Sequence, residues 1–422
     1  MRFIYTGLFY LILPIVFIRL SWRGFKAPAY WRRWNERLGF YTVSERPGVI
    51  WFHAVSVGEA ESVFQLVKLI QQAYPEQHIL ITTTTPTGSA RVKTVMDESV
   101  SHVYLPYDIP GAVSRFMEHF QPKIAVIMET EIWPNLFFEC GKQEIPLVII
   151  NARLSEKSER GYKKLSTLMN QVLSNVKLIA TQTIADTERF IKIGADEKQV
   201  KTIGNIKFDL NISELIIRQG KNLKTQQFNG RQVWIIASTH EHEEKIFLQI
   251  YKNIKVKFPK LLLIIVPRHP ERFNEVRQLC EKNQLKVVVR SSEKPCSLET
   301  DVYLADTMGE LKMLYAASDV AFVGGSMMPI GGHNVLEPAV IGIPVMFGPY
   351  MDNFKEIEQG MLSAGAALKC VDADDIISKI TELLVNEKYR NQLTEQAKGF
   401  VLENKGAIKK VYSLIDGFIK PT

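Results

Sequence analysis

Twice along this chain, short apolar runs alternate with stretches of helical periodicity, and that alternation restricts the fold more than any other feature. VIWFH (49–53) precedes GEAESVFQLVKLIQQAYP, in which Ala60, Val63, Phe64, Val67 and Ile70 recur at helical spacing. ILITTTT (79–85), IAVIM (124–128), PLVII (146–150) and LIATQT (178–183) are further strand candidates. A second series comprises VWIIAST (233–239), LLLIIVP (261–267), KVVV (286–289), DVYLA (301–305), DVAFVGG (319–325) and PVMFG (344–348). Strands alternating with helices in this way predict α/β, doubly wound parallel sheets. The stretch 208–230 is polar, lacks strand character and reads as a linker. The expectation is two Rossmann-like domains, 41–207 and 231–422, facing a cleft. A single sheet would need more than the ~10 strands that open sheets usually carry.

Ahead of these lies a segment of different character, 1–40. Phe3 to Ile18 carries no charge, and Pro14 would kink it as a helix. SWRGFKAPAYWRRWNERLGF then interleaves Trp22, Tyr30, Trp31 and Trp34 with Arg and Lys, a pattern suited to the headgroup layer of an anionic leaflet. The chain carries +7 over 422 residues, and residues 1–40 hold seven basic residues against one acidic residue, Glu36. The excess charge therefore sits beside the apolar run, which argues for a membrane surface and against nucleic acid. A cleaved signal is disfavoured, because Arg19, Arg23 and Lys26 separate the apolar run from Ala27-Pro28-Ala29. A short span and a monotopic anchor both remain, and both put the rest of the chain on the cytoplasmic side. With 46% hydrophobic and 23% charged residues the composition excludes a disordered, collagen-like or coiled-coil chain. Cys140, Cys280, Cys296 and Cys370 have no zinc or CxxC spacing and fit a reducing compartment.

Ligands of doubly wound sheets bind beyond the carboxyl ends of the strands, so the residues at those ends are the candidate site residues. HAVSVGEAES (53–62) puts Glu59 in a first helical turn, where free N–H groups stabilise a carboxylate. With an ordinary pKa it is ionised at neutral pH and can take a proton; it can equally be a dipole partner and nothing more. TTTTPTGSAR (82–91) suits anion binding or plain capping. METEIWPN (128–135) places Glu129 and Glu131 after a strand, with one of the two expected to face the cleft if the strand continues. Lys207 in GNIKFD (204–209) can meet a phosphate or carboxylate, or lie in solvent. VPRHPERF (266–273) sets Arg268 and His269 at a strand end, and Arg suits bidentate phosphate binding. ADTMGEL (305–311) offers a tight turn at Gly309 before Glu310. The most specific stretch is GGSMMPIGGHNVLEP (324–338), a strand, a glycine-rich loop and a helix expected to begin at Asn334. Glycines there allow close backbone approach, helix N–H groups can face a phosphate, and Glu337 can accept from ribose hydroxyls. HEHEE (240–244) has an H-x-H pattern without a further ligand set, and Asp372-Ala-Asp374 reads as a helix cap.

Taken together, KAPAYWRRW, HAVSVGE, TTTTPTGS, HVYLPYD, METEIWPN, NARLS, VPRHPERF, DTMGEL and GGSMMPIGGHNVLEP resemble the Kdo (3-deoxy-D-manno-octulosonic acid) transferases of lipopolysaccharide synthesis, over nearly the whole chain. The resemblance implies a GT-B glycosyltransferase. Its donor would be CMP-Kdo, held by the C-terminal half, and its acceptor lipid IVA at the cytoplasmic face of the inner membrane. A single displacement is expected to invert the anomeric carbon, and Arg268, Lys207 and helix N–H groups can meet the leaving phosphate's charge, so no metal or cofactor is expected. By the same match Glu59 is the proton acceptor, and Glu129 and Lys207 stabilise the transition state. Arg268, His269, Met308, Gly309, Glu310, Asn334, Val335, Leu336 and Glu337 would hold CMP. His242 departs from the family pattern, where Gly is frequent. Two other readings stay open: a GT-B enzyme using a UDP-sugar, and a catalytically inert nucleotide-binding scaffold at the membrane.

Overall fold

The computed structural model describes residues 1–43 and 47–420, the side chain of Lys26 excepted. The chain forms two units, Met1–Asp209 with Lys405–Thr422, and Leu210–Asn404.

The first unit holds strands β1 (Ile50–His53), β2 (Ile79–Thr83), β3 (Ser101–Tyr104), β4 (Ile124–Met128), β5 (Leu147–Ala152), β6 (Val176–Thr181) and β7 (Val200–Thr202). They form one parallel sheet in the order β3-β2-β1-β4-β5-β6-β7. β1 lies centrally, with Ile50 opposite both Ile79 and Ile124. The winding reverses between β1 and β4, so the carboxyl ends of these two strands stand side by side at the position where such sheets bind ligands. Both faces are covered, which is why the strands read as continuous apolar runs. Trp51 faces one helical layer, its ring 4.7 Å from that of Phe116. The next residue, Phe52, faces the other layer with Phe64, Ile408 and Ile415.

The second unit holds β8 (Val233–Thr239), β9 (Leu262–Pro267), β10 (Val287–Val289), β11 (Val302–Leu304), β12 (Val320–Val323), β13 (Val345–Phe347) and β14 (Leu368–Lys369). These too are all parallel, ordered β10-β11-β9-β8-β12-β13-β14, and the winding reverses between β8 and β12.

Two boundaries differ from those read in the sequence. The presumed linker 208–230 contains a helix, Glu214–Gln227, which belongs to the second unit. Its Gly220 lies so close to helix Leu311–Ala316 that a Cβ would collide with the Met313 carbonyl. The C-terminal helix Ala407–Ile419, expected within 231–422, packs on the first unit. Its Ile408, Val411, Ile415 and Ile419 complete an apolar layer over that sheet. Asp209 accepts from the backbone N–H of Gly406 (2.5 Å) and Ile408 (2.6 Å), fixing its start.

The N-terminal helix runs unbroken from Arg2 to Lys26 and contains Pro14. At 25 residues it is about 37 Å long, well beyond the sixteen-residue uncharged run. One face docks on the first unit: Tyr5 donates to Asp108 (2.9 Å), and Arg2 and Thr6 donate to Asn135 (3.1 Å each). Fifteen residues along, Phe17 packs against Trp34 and Tyr107, and Leu20 is buried. The other face exposes Ile4, Leu8, Leu11, Ile15, Ile18 and Trp22. Part of the basic belt is not on the surface. Arg33 grips Glu36 and Ser89, and buried Arg37 donates to the Thr84 carbonyl.

Candidate active site

At the end of β1, Ser56 caps helix Val57–Ala73, and Glu59 folds back on the cap. The Ser56 hydroxyl donates to one Glu59 carboxylate oxygen (2.9 Å), and the Val55 N–H to the other (2.9 Å). The cap reading of Glu59 is thus realised, and it fixes the carboxylate's orientation. Its acidity departs from the ordinary value expected from sequence. Burial, followed by the charge of Glu129, raises its pKa, against the two hydrogen bonds and Lys207.

Glu129 follows β4 directly and adopts φ +55°, so the strand does not continue and its alternation no longer applies. Glu129 is buried between two cations, Lys207 Nζ at 3.0 Å and Arg153 Nε at 3.1 Å. Asn151 and Asn205 position Lys207: Asn151 accepts from the Ile206 N–H (3.1 Å), and Asn205 from that of Lys207 (2.9 Å). Glu131 joins the group as well, contrary to the expectation of a single inward carboxylate. It accepts from the Trp133 indole (3.0 Å), and burial, with the charges of Glu59 and Glu129, pushes its pKa up to about 7. Glu59, Glu129 and Lys207 were candidates in the sequence; Arg153 and the raised pKa of Glu131 were not foreseen there.

The TTTT segment supplies a helix cap. Thr85 caps helix Pro86–Met96, with Pro86 and Gly88 in its first turn, while Thr82 and Thr83 bond to His53 and His102.

In the second unit the glycine loop after β12 is organised by Glu243 of HEHEE. Its carboxylate accepts from the N–H groups of Gly325 (2.7 Å), Ser326 (3.1 Å), Met327 (2.9 Å) and His240 (3.0 Å). Three amides of the loop are therefore already taken within the protein, while the expectation of phosphate contact concerned the helix N–H groups that follow. The signal for this was two acidic residues in a first helical turn. His240 pairs with His333 (2.8 Å), while His242 is exposed, so the H-x-H rings do not converge.

Arg268 is tied by its N–H to the Thr239 carbonyl (3.0 Å), and His269 is half exposed beside it. Gly309 takes φ +87°, Met308 is exposed, and Glu310 is engaged by Arg290 (2.9 Å) and Thr307. Burial opposes ionisation of Glu310, yet these partners hold its pKa below the usual value. The helix after the loop is Leu336–Ile341, starting later than expected, and Asn334 accepts from the Leu336 N–H (3.0 Å). Val335 and Leu336 are fully buried, so their side chains serve the core. Glu337 lies 3.8 Å from Lys312.

Two all-parallel seven-stranded sheets, each reversing its winding beside a central strand, form the GT-B architecture. Solved structures share the architecture. A glycosyltransferase from Rickettsia africae aligns with TM-score 0.58 at 13% identity, over 90% of this chain and 100% of that one. Anabaena HepE, in complex with UDP and glucose, gives 0.56 at 14%, over 88% and 100%. Residues 32–210 match the family described as 3-deoxy-D-manno-octulosonic-acid transferase (kdotransferase), and 230–400 match glycosyl transferases group 1. The chain is 39% identical to the 3-deoxy-D-manno-octulosonic acid transferase of Haemophilus influenzae, over 99% of both chains. It is 31% identical to that of Bordetella pertussis, again over 99% of both. The chain belongs to the 3-deoxy-D-manno-octulosonic acid transferase family.

Proposed function

We propose that the chain transfers Kdo from CMP-Kdo to lipid IVA, with inversion and without a metal, in lipopolysaccharide synthesis at the cytoplasmic face of the inner membrane. The observation that carries this reading is the carboxylate group at the first reversal point, with Glu59 oriented by its cap and Glu129 clasped by Lys207 and Arg153.

In this reading Glu59 takes the proton from the acceptor hydroxyl as that oxygen bonds to the anomeric carbon. The bond from that carbon to the phosphate oxygen breaks, and its electron pair leaves with CMP. The attack and the departure occur on opposite faces, which inverts the centre. Positive character on the anomeric carbon is met by carboxylate charge, with Glu129 and Lys207 setting the local field. Arg268 and His269 meet the nucleotide phosphate, and Met308, Gly309, Glu310 and the segment Asn334, Val335, Leu336 and Glu337 hold the rest of CMP. Arg268 can supply the leaving group's counter-charge, so no metal step is invoked.

The N-terminal helix supports a monotopic anchor. Docking contacts at Arg2, Tyr5 and Thr6 and again at Phe17 and Leu20 hold its length against the first unit, leaving an apolar stripe free for lipid. The test is direct. Purified protein is given labelled CMP-Kdo and lipid IVA with EDTA present. A product heavier by Kdo is expected, and transfer only from UDP-sugars, or none, overturns the reading.

A further inference from the structure

His240 and His333 have no part in the roles above, yet they meet at the reversal point of the second sheet, beyond the adjacent ends of β8 and β12. Their Nε2 atoms are 2.8 Å apart and their rings lie 6° from parallel. That separation is too short for rings lying face over face; it is the length of an N–H···N hydrogen bond made edge to edge. Gly325 forms the floor. It has φ +66°, and a Cβ there would stand 2.9 Å from the His333 ring and 3.5 Å from that of His240.

The hydrogen bond fixes the protons. A neutral imidazole carries one N–H. The donating ring spends it at Nε2 and has a bare Nδ1; the accepting ring must carry its own on Nδ1. The neutral pair therefore offers one donor and one acceptor, and among the described residues no hydrogen bond reaches either Nδ1. One added proton preserves the Nε2 contact, makes both Nδ1 atoms donors and leaves the pair cationic.

The surroundings favour an anion there. The groups facing the pair are Arg268, Arg272 and His269, the last with its ring edge-on to His240 at 5.3 Å. The nearby carboxylates are committed: Glu243 to four backbone N–H groups, Glu244 to Arg272 and Thr239. Burial and the neighbouring positive groups lower His240 to about 4 and His333 to about 3, so the pair is neutral at pH 7.

We propose that the His240–His333 pair is an oxyanion site that takes up one proton as the anion docks beside Arg268, closing on it with two N–H donors. The anion class is a phosphate ester. Its identification with the donor's nucleotide phosphate rests on the function proposed above.

Calorimetry of the full chain at pH 7, in two buffers of different ionisation enthalpy, counts the protons. CMP binding is expected to draw in close to one proton more in the wild type than in His333→Gln or His240→Gln. Affinity in these variants is expected to fall roughly 10- to 100-fold, as for loss of a charge-assisted hydrogen bond. Cytidine should bind without proton uptake. Near-ultraviolet circular dichroism establishes that the variants are folded, and the two variants guard against one failing. Equal proton counts in wild type and both folded variants overturn the proposal while leaving Kdo transfer intact. If CMP does not bind but inorganic phosphate does, with a proton uptake that His333→Gln abolishes, the anion site stands and the CMP reading falls.

Discussion

The two sheets reverse their winding in the same way, yet the residues placed at the two reversal points are of opposite chemical kind. Between β1 and β4 stand Glu59, Glu129 and Glu131, with Lys207 and Arg153 as counter-charges. Between β8 and β12 stand His240 and His333 over a glycine floor, with Arg268 nearby and the adjacent carboxylates tied up inside the protein. In the reading proposed above, one topology serves both to take up a proton and to receive a negative charge. The backbone sets where ligands go, and the residue at each strand end sets which chemistry happens there.

Substitutions at the first reversal point can break this contrast. Short of replacing Glu59, the largest effect is expected from Lys207→Ala, with kcat falling about 10²- to 10³-fold at unchanged CMP affinity. Steady-state kinetics beside CMP titration measures both. A parallel loss of CMP affinity would dissolve the division between the two points. Arg153→Ala removes the other partner of Glu129, but Arg153 is 41% exposed and its charge is screened, so a fall in kcat of about tenfold is expected.

Glu131→Gln sharpens the comparison through pH. The folded pKa of Glu131 is raised from 4.5 to about 7, so the folded state favours its proton. Its stabilising contribution is complete below about 4.5 and is lost as pH rises through about 7. Chemical denaturation across that window should show wild-type stability declining more steeply with pH than that of Glu131→Gln. The wild-type pH–rate profile should carry an inflection near 7 that the variant lacks. Identical profiles would mean that Glu131 titrates elsewhere.

What the sequence disclosed follows from how local each signal is. Glu59 was legible because a cap, a first-turn acid and a preceding strand lie within ten residues of chain. Lys207 read from sequence equally as an anion partner or a solvated lysine, and the family resemblance chose between them, since its partner Glu129 is 78 positions away. Glu129 and Glu131 could not be told apart from sequence, because the alternation argument holds only if the strand continues, and it ends at Met128 before the left-handed turn at Glu129. Arg153 follows a strand taken to stop at Ile150, two residues short of its end at Ala152. Glu243 looked like part of a failed metal pattern, and only folding brings the glycine loop onto it. β3 (SHVY), β7 (VKT) and β14 (LK) escaped because a polar residue interrupts each short run, leaving no continuous apolar stretch. The return of helix Ala407–Ile419 to the first unit is a long-range choice, made by apolar area on another part of the chain.

The smallest effect is expected from Ser56→Ala. Loss of the cap should cost about 1 kcal/mol of stability in a denaturant titration. It also frees one Glu59 carboxylate oxygen, so a modest fall in kcat should accompany it. Lost stability with unchanged kcat would separate the cap from the site.

Glu59→Gln tests the division of labour most directly, through single-turnover transfer from CMP-Kdo and CMP affinity measured on the same preparation. The expected result is transfer slowed by roughly 10² to 10⁴ with CMP affinity unchanged. Transfer at the wild-type rate, or transfer and CMP binding lost together, would contradict it.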